Sequence, residues 1–129
     1  MGIATRIESG TGFRTHVVKG SVTMREVQDE MKVTYSRDDY RPEADTLWDL
    51  READLTGLSN SDVKALVDYV LKHRGAPPGA RTVFVVGRDF DFGIARMYEL
   101  MLEARSESDV VVLRDLDEAR VWLARGRAE

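Results

Sequence analysis

Three arginines occupy comparable positions in the chain. Arg51, Arg88 and Arg114 each follow the last apolar residues of a β-like run. If those runs form parallel strands, the three side chains share the carboxyl edge of one sheet, where open α/β sheets bind ligands and helix N-termini point. The chemistry open to such a set is recognition of a small anion, a nucleotide or a phospholipid headgroup. Glu52, Asp54, Asp89, Asp91, Asp115 and Asp117 lie in the same loops, so ion pairing is the favoured role, the acids outnumbering the bases. Asp89 and Asp91 suggest a metal pair or an acid/base dyad, but neither a histidine nor a defined third ligand accompanies them, and Asp91 is expected to cap the next helix. His16 and His73 have no serine, cysteine or second histidine at nucleophile or metal spacing. Gly87 and Gly93 lack the Lys-Ser/Thr that completes a phosphate loop. Ser59 and Ser61 open a helix, where a phosphate would meet free N–H groups and the positive dipole end; plain capping accounts for one of them and is favoured. No catalytic constellation, metal set or cofactor motif emerges. The chain is expected not to be an enzyme, with an acid/base reaction at Asp89/Asp91 as a remote alternative.

The elements that must position these residues centre on Arg81–Glu103, RTVFVVGRDFDFGIARMYELMLE. The continuous β-branched and aromatic run Thr82–Gly87 predicts a strand covered on both faces. In the helix that follows, the charges Arg96, Glu99 and Glu103 form one narrow strip. Ile94, Met97, Tyr98, Met101 and Leu102 spread apolar surface wider than a sheet alone requires. That face predicts a protein interface, a homodimer contact or an acyl-chain pocket, unless the final helix and Trp122 cover it. Upstream, Ile3–Glu8 and Phe13–Lys19 alternate around the turn Ser9–Gly12 and predict a hairpin, with Phe13, Thr15 and Val17 opposed to Arg14, His16 and Val18. A helix follows over Ser21–Ser36, with a Thr23/Glu26 capping box. Arg37–Asp45 reads as a polar, poorly ordered connector, Thr46–Leu50 as a short strand and Arg51–Leu58 as a loop. A helix from Ser59 to about Arg74 carries the stripe Val63, Leu66, Val67, Val70, Leu71 and ends on Lys72, His73 and Arg74, with Gly75 as C′ residue. Ala76–Gly79 is a rigid link. Asp109–Leu113 is a last buried strand, and Asp115 with Glu118 starts a final helix with Leu116, Ala119 and Leu123 inward and a polar tail over Arg125–Glu129. The order is β-β-α-β-α-β-α-β-α: an α/β fold with a mixed, largely parallel sheet and an N-terminal hairpin.

A length of 129 residues suits one domain over 1–129. The 43% hydrophobic and 33% charged content fits a globular protein, and the net charge of −4 without a basic cluster argues against nucleic acid. The absence of cysteine removes disulfide and thiolate chemistry and suits a reducing cytoplasm. The start MGIATRIESG lacks a signal-peptide core, Arg6 replaces the Ser/Thr of a myristoylation signal, and no apolar run is long enough for an integral membrane segment.

Leu47-Trp48-Asp49-Leu50-Arg51, Phe92-Gly93-Ile94-Ala95-Arg96-Met97-Tyr98-Glu99 and Arg114-Asp115-Leu116-Asp117-Glu118-Ala119, running into Trp122-Leu123, together with the order of elements, resemble the SpoIIAA-like (STAS/SEC14-type) bacterial proteins. The resemblance implies a non-enzymatic, cytoplasmic binding or regulatory domain that meets a protein partner or itself as a homodimer, with no cofactor. Its SEC14-type side implies the alternative of a carrier for a small anionic or lipid ligand, its apolar tail between helices and its head near Arg88. Better-known members of the fold are anti-sigma-factor antagonists, switched by phosphorylation within an Asp-Ser-Ser-Gly string. Ser59, in Gly57-Leu58-Ser59-Asn60-Ser61, falls closest to that position and is the implied phosphorylation site, although the Asp and Gly of the string are missing here.

Overall fold

The computed structural model describes residues 2–75 and 77–128, with side chains through Arg125; Met1, Ala76 of the expected link and Glu129 of the expected tail lie outside it. The elements are β1 (Gly2–Ile7), β2 (Arg14–Ser21), α1 (Met24–Tyr35), β3 (Thr46–Asp54), α2 (Asn60–His73), β4 (Arg81–Val86), α3 (Asp89–Glu103), β5 (Asp109–Leu113) and α4 (Leu116–Ala128). Their order is the expected one. The strands lie in chain order across one five-stranded sheet. β1 is antiparallel to β2, and β2, β3, β4 and β5 run parallel.

Each parallel step joins neighbouring strands through one helix, so α1, α2 and α3 stack on the same face of the sheet. There Met31, Val63, Leu66, Val70, Ile94 and Ala95 meet Val18, Trp48, Leu50, Val86 and Val112. Helix α4 takes the other face, setting Ala119 and Leu123 against Leu47, Val83 and Val85. β4 therefore lies between two apolar layers, and Val83, Val85 and Val86 are fully buried. Each such side chain contributes about 1.5–3 kcal/mol relative to exposure, which is why Val83 to Val86 carries no polar side chain. Gly87 ends the strand for a steric reason. A Cβ there would stand 2.5 Å from the Arg51 carbonyl oxygen, so only glycine lets the two chains pass.

Local chemistry sets the helix ends. Thr23 and Ser59 each close a reciprocal capping box, with Glu26 and Asp62. The Asp115 carboxylate accepts from the Glu118 N–H at 3.0 Å. Gly75 takes a φ of +68° just beyond α2, as a C′ glycine should.

Several expectations fail in physically informative ways. The N-cap of α3 is Arg88, with no side-chain cap; Asp91 sits one turn in, where its carboxylate reaches across to Leu55. β3 runs on to Asp54, because Glu52, Ala53 and Asp54 pair with Lys19, Gly20 and Ser21. On β2, where the alternation left the inward face open, Arg14, His16 and Val18 are the buried set, since their face lies under α1, while Thr15 and Val17 face the side that α4 only partly covers. The 37–45 connector is anchored: Ala44 and Asp45 are buried, and Tyr40 Oη donates to the Arg74 carbonyl at 2.7 Å. Glu99 leaves the expected wet strip, being 5% exposed and held by Arg96 at 2.7 Å.

Candidate functional site

The helices of the α1–α3 layer do not fill the space above the sheet. A cavity of about 70 Å³ remains among Val18, Val22, Trp48, Leu50 and Phe84 on the sheet side, Leu55 and Leu58 from the β3–α2 loop, and Val27, Met31, Val63, Leu66, Ile94, Ala95 and Tyr98 from the helices. Its lining is almost wholly hydrocarbon. Protein interiors pack at crystal-like density, and a void of this size costs about 1–2 kcal/mol at ~24 cal/mol per Å³.

Next to the cavity, at the amino edge of the parallel strands, lies a buried polar layer. Register brings Arg14, Thr46 and Thr82 side by side on β2, β3 and β4. Arg14 is 1% exposed and donates to the carbonyls of Arg41 (2.7 Å) and Ala44 (3.3 Å) and to Thr46 Oγ1 (2.8 Å). Arg74, 7% exposed, enters from the end of α2 and donates to Thr82 Oγ1 (3.1 Å) and to the same Ala44 carbonyl (3.4 Å). Its Nε has no partner. A smaller cavity of about 20 Å³ is lined by these groups with His16, Thr34 and Tyr35, and Met31, Trp48 and Tyr98 line both cavities.

Charge in this layer is tightly constrained. Burial, then the neighbouring Arg74 guanidinium, pulls Arg14 down to about 10. Burial, then both arginines, pulls His16 down to about 3, so it is neutral at pH 7. His16 stacks on Trp48 with ring centres 4.0 Å apart. Thr5 Oγ1 donates to the Glu30 carboxylate, so its contact with His16 Nδ1 at 2.7 Å is donated by the ring, which fixes the tautomer as Nδ1–H. Burial raises Tyr98 to about 12 and pushes Tyr35 higher still; both are neutral phenols.

The three arginines of the carboxyl edge are each ion-paired, and they do not converge. Arg51 Nε meets Asp49 at 2.9 Å, Arg88 meets Asp54 at 3.3 Å, and Arg114 meets Asp89 at 2.8 Å. Arg88 and Arg114 flank the start of α3, with Arg114 also 4.8 Å from the Phe92 ring centre. Arg51 instead lines a wide groove on the α4 side with Phe13, Val17, Leu47 and Arg120. Asp91 is 0% exposed; one oxygen accepts from Leu55 N–H at 3.1 Å and the other has no partner. Burial holds its pKa above the usual carboxylate range, opposed by the Leu55 bond. Asp89 points elsewhere, to Arg114. Among the described residues no group of three His, Cys, Asp or Glu is placed to hold a metal ion.

An uncharacterized protein of the DUF3478 family from Shewanella loihica PV-4, described with a SpoIIAA-like fold, superposes with a TM-score of 0.64 at 21% identity, over 95% of this chain and 94% of that one. The chain has a SpoIIAA-like fold. No protein-family model and no curated protein matches it. Within the SpoIIAA-like frame, Ser59 caps α2: its Oγ accepts from Asp62 N–H at 3.1 Å, and its own N–H donates to the Asp62 carboxylate at 2.9 Å. Ile94 and Leu102 are buried, while Met97, Tyr98 and Met101 pack on the chain's own core. The helix that covers this face is α2, with Val67 and Leu71, rather than α4 and Trp122, which lie across the sheet. No helix among the described residues is long and apolar enough to cross a membrane.

The buried arginine pair and the cavity were not singled out from the sequence. Arg74 resembles any helix-terminal cation, and Arg14 any polar residue of an alternating strand. The one available signal was Arg14 and His16 sharing a β2 face with Val18.

Proposed function

We propose that the protein is a non-enzymatic binding domain that takes a small ligand with an apolar part into the space between its sheet and helices α1–α3. The observation that carries this reading is the cavity lined by Val18, Trp48, Leu50, Val63, Leu66, Ile94 and Ala95. Apolar binding sites are concave, hydrocarbon-lined and bordered by a few placed polar groups, and a buried polar layer adjoins this one. Among the walls, α1 buries only Met31 and Thr34 fully, so it is the least costly to displace when a ligand enters.

Regulation through a protein partner or a second copy is the other reading. The fold supports it in general terms. The apolar face of α3 expected to serve it is used within the chain, and the large exposed apolar residues, Val33, Phe90, Leu100 and Val121, are scattered over three helices. The ligand reading therefore has the more concentrated support.

Native mass spectrometry of the protein, purified without detergent, tests it. The expected spectrum contains a second species heavier by one small molecule, lost on unfolding. A bare chain at every charge state, unchanged after incubation with short-chain alcohols, contradicts it.

A further inference from the structure

We infer that Arg14 and Arg74 form a buried receptor for the charged end of the ligand, a small amphiphile whose head is a single carboxylate or a comparable singly charged oxyanion. The inference rests on the binding reading above and deepens it by assigning the polar end.

The first argument is charge. Arginine holds its proton in proteins, so two positive charges are buried 1% and 7% exposed. Asp45, buried beside them, offsets one and strengthens the hold of Arg14 on its proton. The other buried acids among the described residues are committed elsewhere: Glu99 to Arg96, and Asp91 to the Leu55 N–H. One positive charge is left over where solvent cannot screen it. A buried cation without an anion is costly, and an anion with matching hydrogen-bond acceptors removes that cost.

The second argument is the unused donor. Arg74 Nε is buried without a partner, although nearly all buried polar groups have one. Arg74 lines the 20 Å³ cavity with Arg14, His16 and Thr34, room for about one water or the oxygens of one small oxyanion.

The third argument is continuity and rigidity. Met31, Trp48 and Tyr98 line both this cavity and the apolar one, so the two are neighbours, and a short amphiphile bound across them would place its head in one and its tail in the other. The guanidiniums are already fixed by the Arg41 and Ala44 carbonyls and by the Thr46 and Thr82 hydroxyls. Little ordering remains to be done on binding, which favours affinity. Arginine's planar fork suits carboxylate recognition.

The test compares hexanoate with hexan-1-ol on the full chain by NMR titration, with Arg74→Met as the variant. Hexanoate is expected to bind at least tenfold more tightly than the alcohol, and Arg74→Met to remove that advantage. Equal affinities overturn the arginine assignment and leave the cavity reading standing; binding of neither overturns both. If Arg74→Met does not fold, the Arg74 Nε–H resonance of the unaltered chain decides. It is expected to shift with hexanoate and not with hexan-1-ol, and an unmoved resonance at saturating hexanoate overturns the assignment.

Discussion

Replacing Ala95 with leucine should make the protein more stable and a worse binder. Ala95 is 4% exposed on α3 and lines the apolar cavity of about 70 Å³. Leucine adds three carbon atoms at little helix-propensity cost. The void is destabilising by ~24 cal/mol per Å³, so filling 70 Å³ returns up to about 1.7 kcal/mol. For a domain of this size that corresponds to a rise in Tm of about 5 °C. Denaturant unfolding gives the free energy, calorimetry gives Tm, and titration with hexan-1-ol reports the site, where affinity should fall at least tenfold. The reasoning is refuted if Ala95→Leu destabilises by the ~1–3 kcal/mol typical of overpacking, since the space would then not exist. It is refuted equally if the variant is stabilised but binds hexan-1-ol as well as before.

Three further perturbations test the frame around the site. Gly87→Ala should cost at least about 2 kcal/mol in urea unfolding, because its Cβ would meet the Arg51 carbonyl oxygen at 2.5 Å just past the end of β4; a neutral substitution means the two chains are farther apart than described. Asp91→Ala should lose about 1–3 kcal/mol by orphaning the buried Leu55 N–H. Asp91→Asn keeps an acceptor and removes a charge whose pKa is raised by burial, so it should be no less stable than the unaltered protein at pH 7, and an equal loss in both variants refutes the assignment. His16 supplies the pH test. Its folded pKa of about 3 lies below the ordinary 6.5, so the unfolded chain binds the extra proton as pH falls. Stability should decline below about pH 6 by up to ~1.4 kcal/mol per unit; His16→Phe should flatten that slope, and an unchanged slope would show that the ring titrates normally.

How much was legible in the sequence follows from what each residue's surroundings depend on. β4 was legible because an uninterrupted β-branched run has few other homes, and α2 because its stripe and Gly75 agree. The Thr23/Glu26 capping box and the Asp115 cap are local chemistry, and both are present, the latter through the single bond from Glu118 N–H. Asp91 was misread because capping and cross-loop bonding use the same carboxylate, and only the position of Leu55 separates them. The inward face of β2 was left open because alternation shows that two faces differ, not which one a helix will cover. The ion pairs of Arg51, Arg88 and Arg114 could be anticipated from the surplus of acids in their loops. The cavity could not be, since it is defined by what three helices and a sheet leave unfilled. Arg14 and Arg74 lie 60 residues apart and meet only through the sheet register and the turn after α2.

The most direct measurement is a methyl NMR titration of the full chain with hexan-1-ol, a neutral probe that isolates the apolar cavity. Saturable shifts concentrated on the methyls of Val18, Val63, Leu66, Ile94 and Ala95 are the predicted result. Spectra in which these methyls stay fixed while surface residues such as Val33 and Leu100 respond would contradict the account.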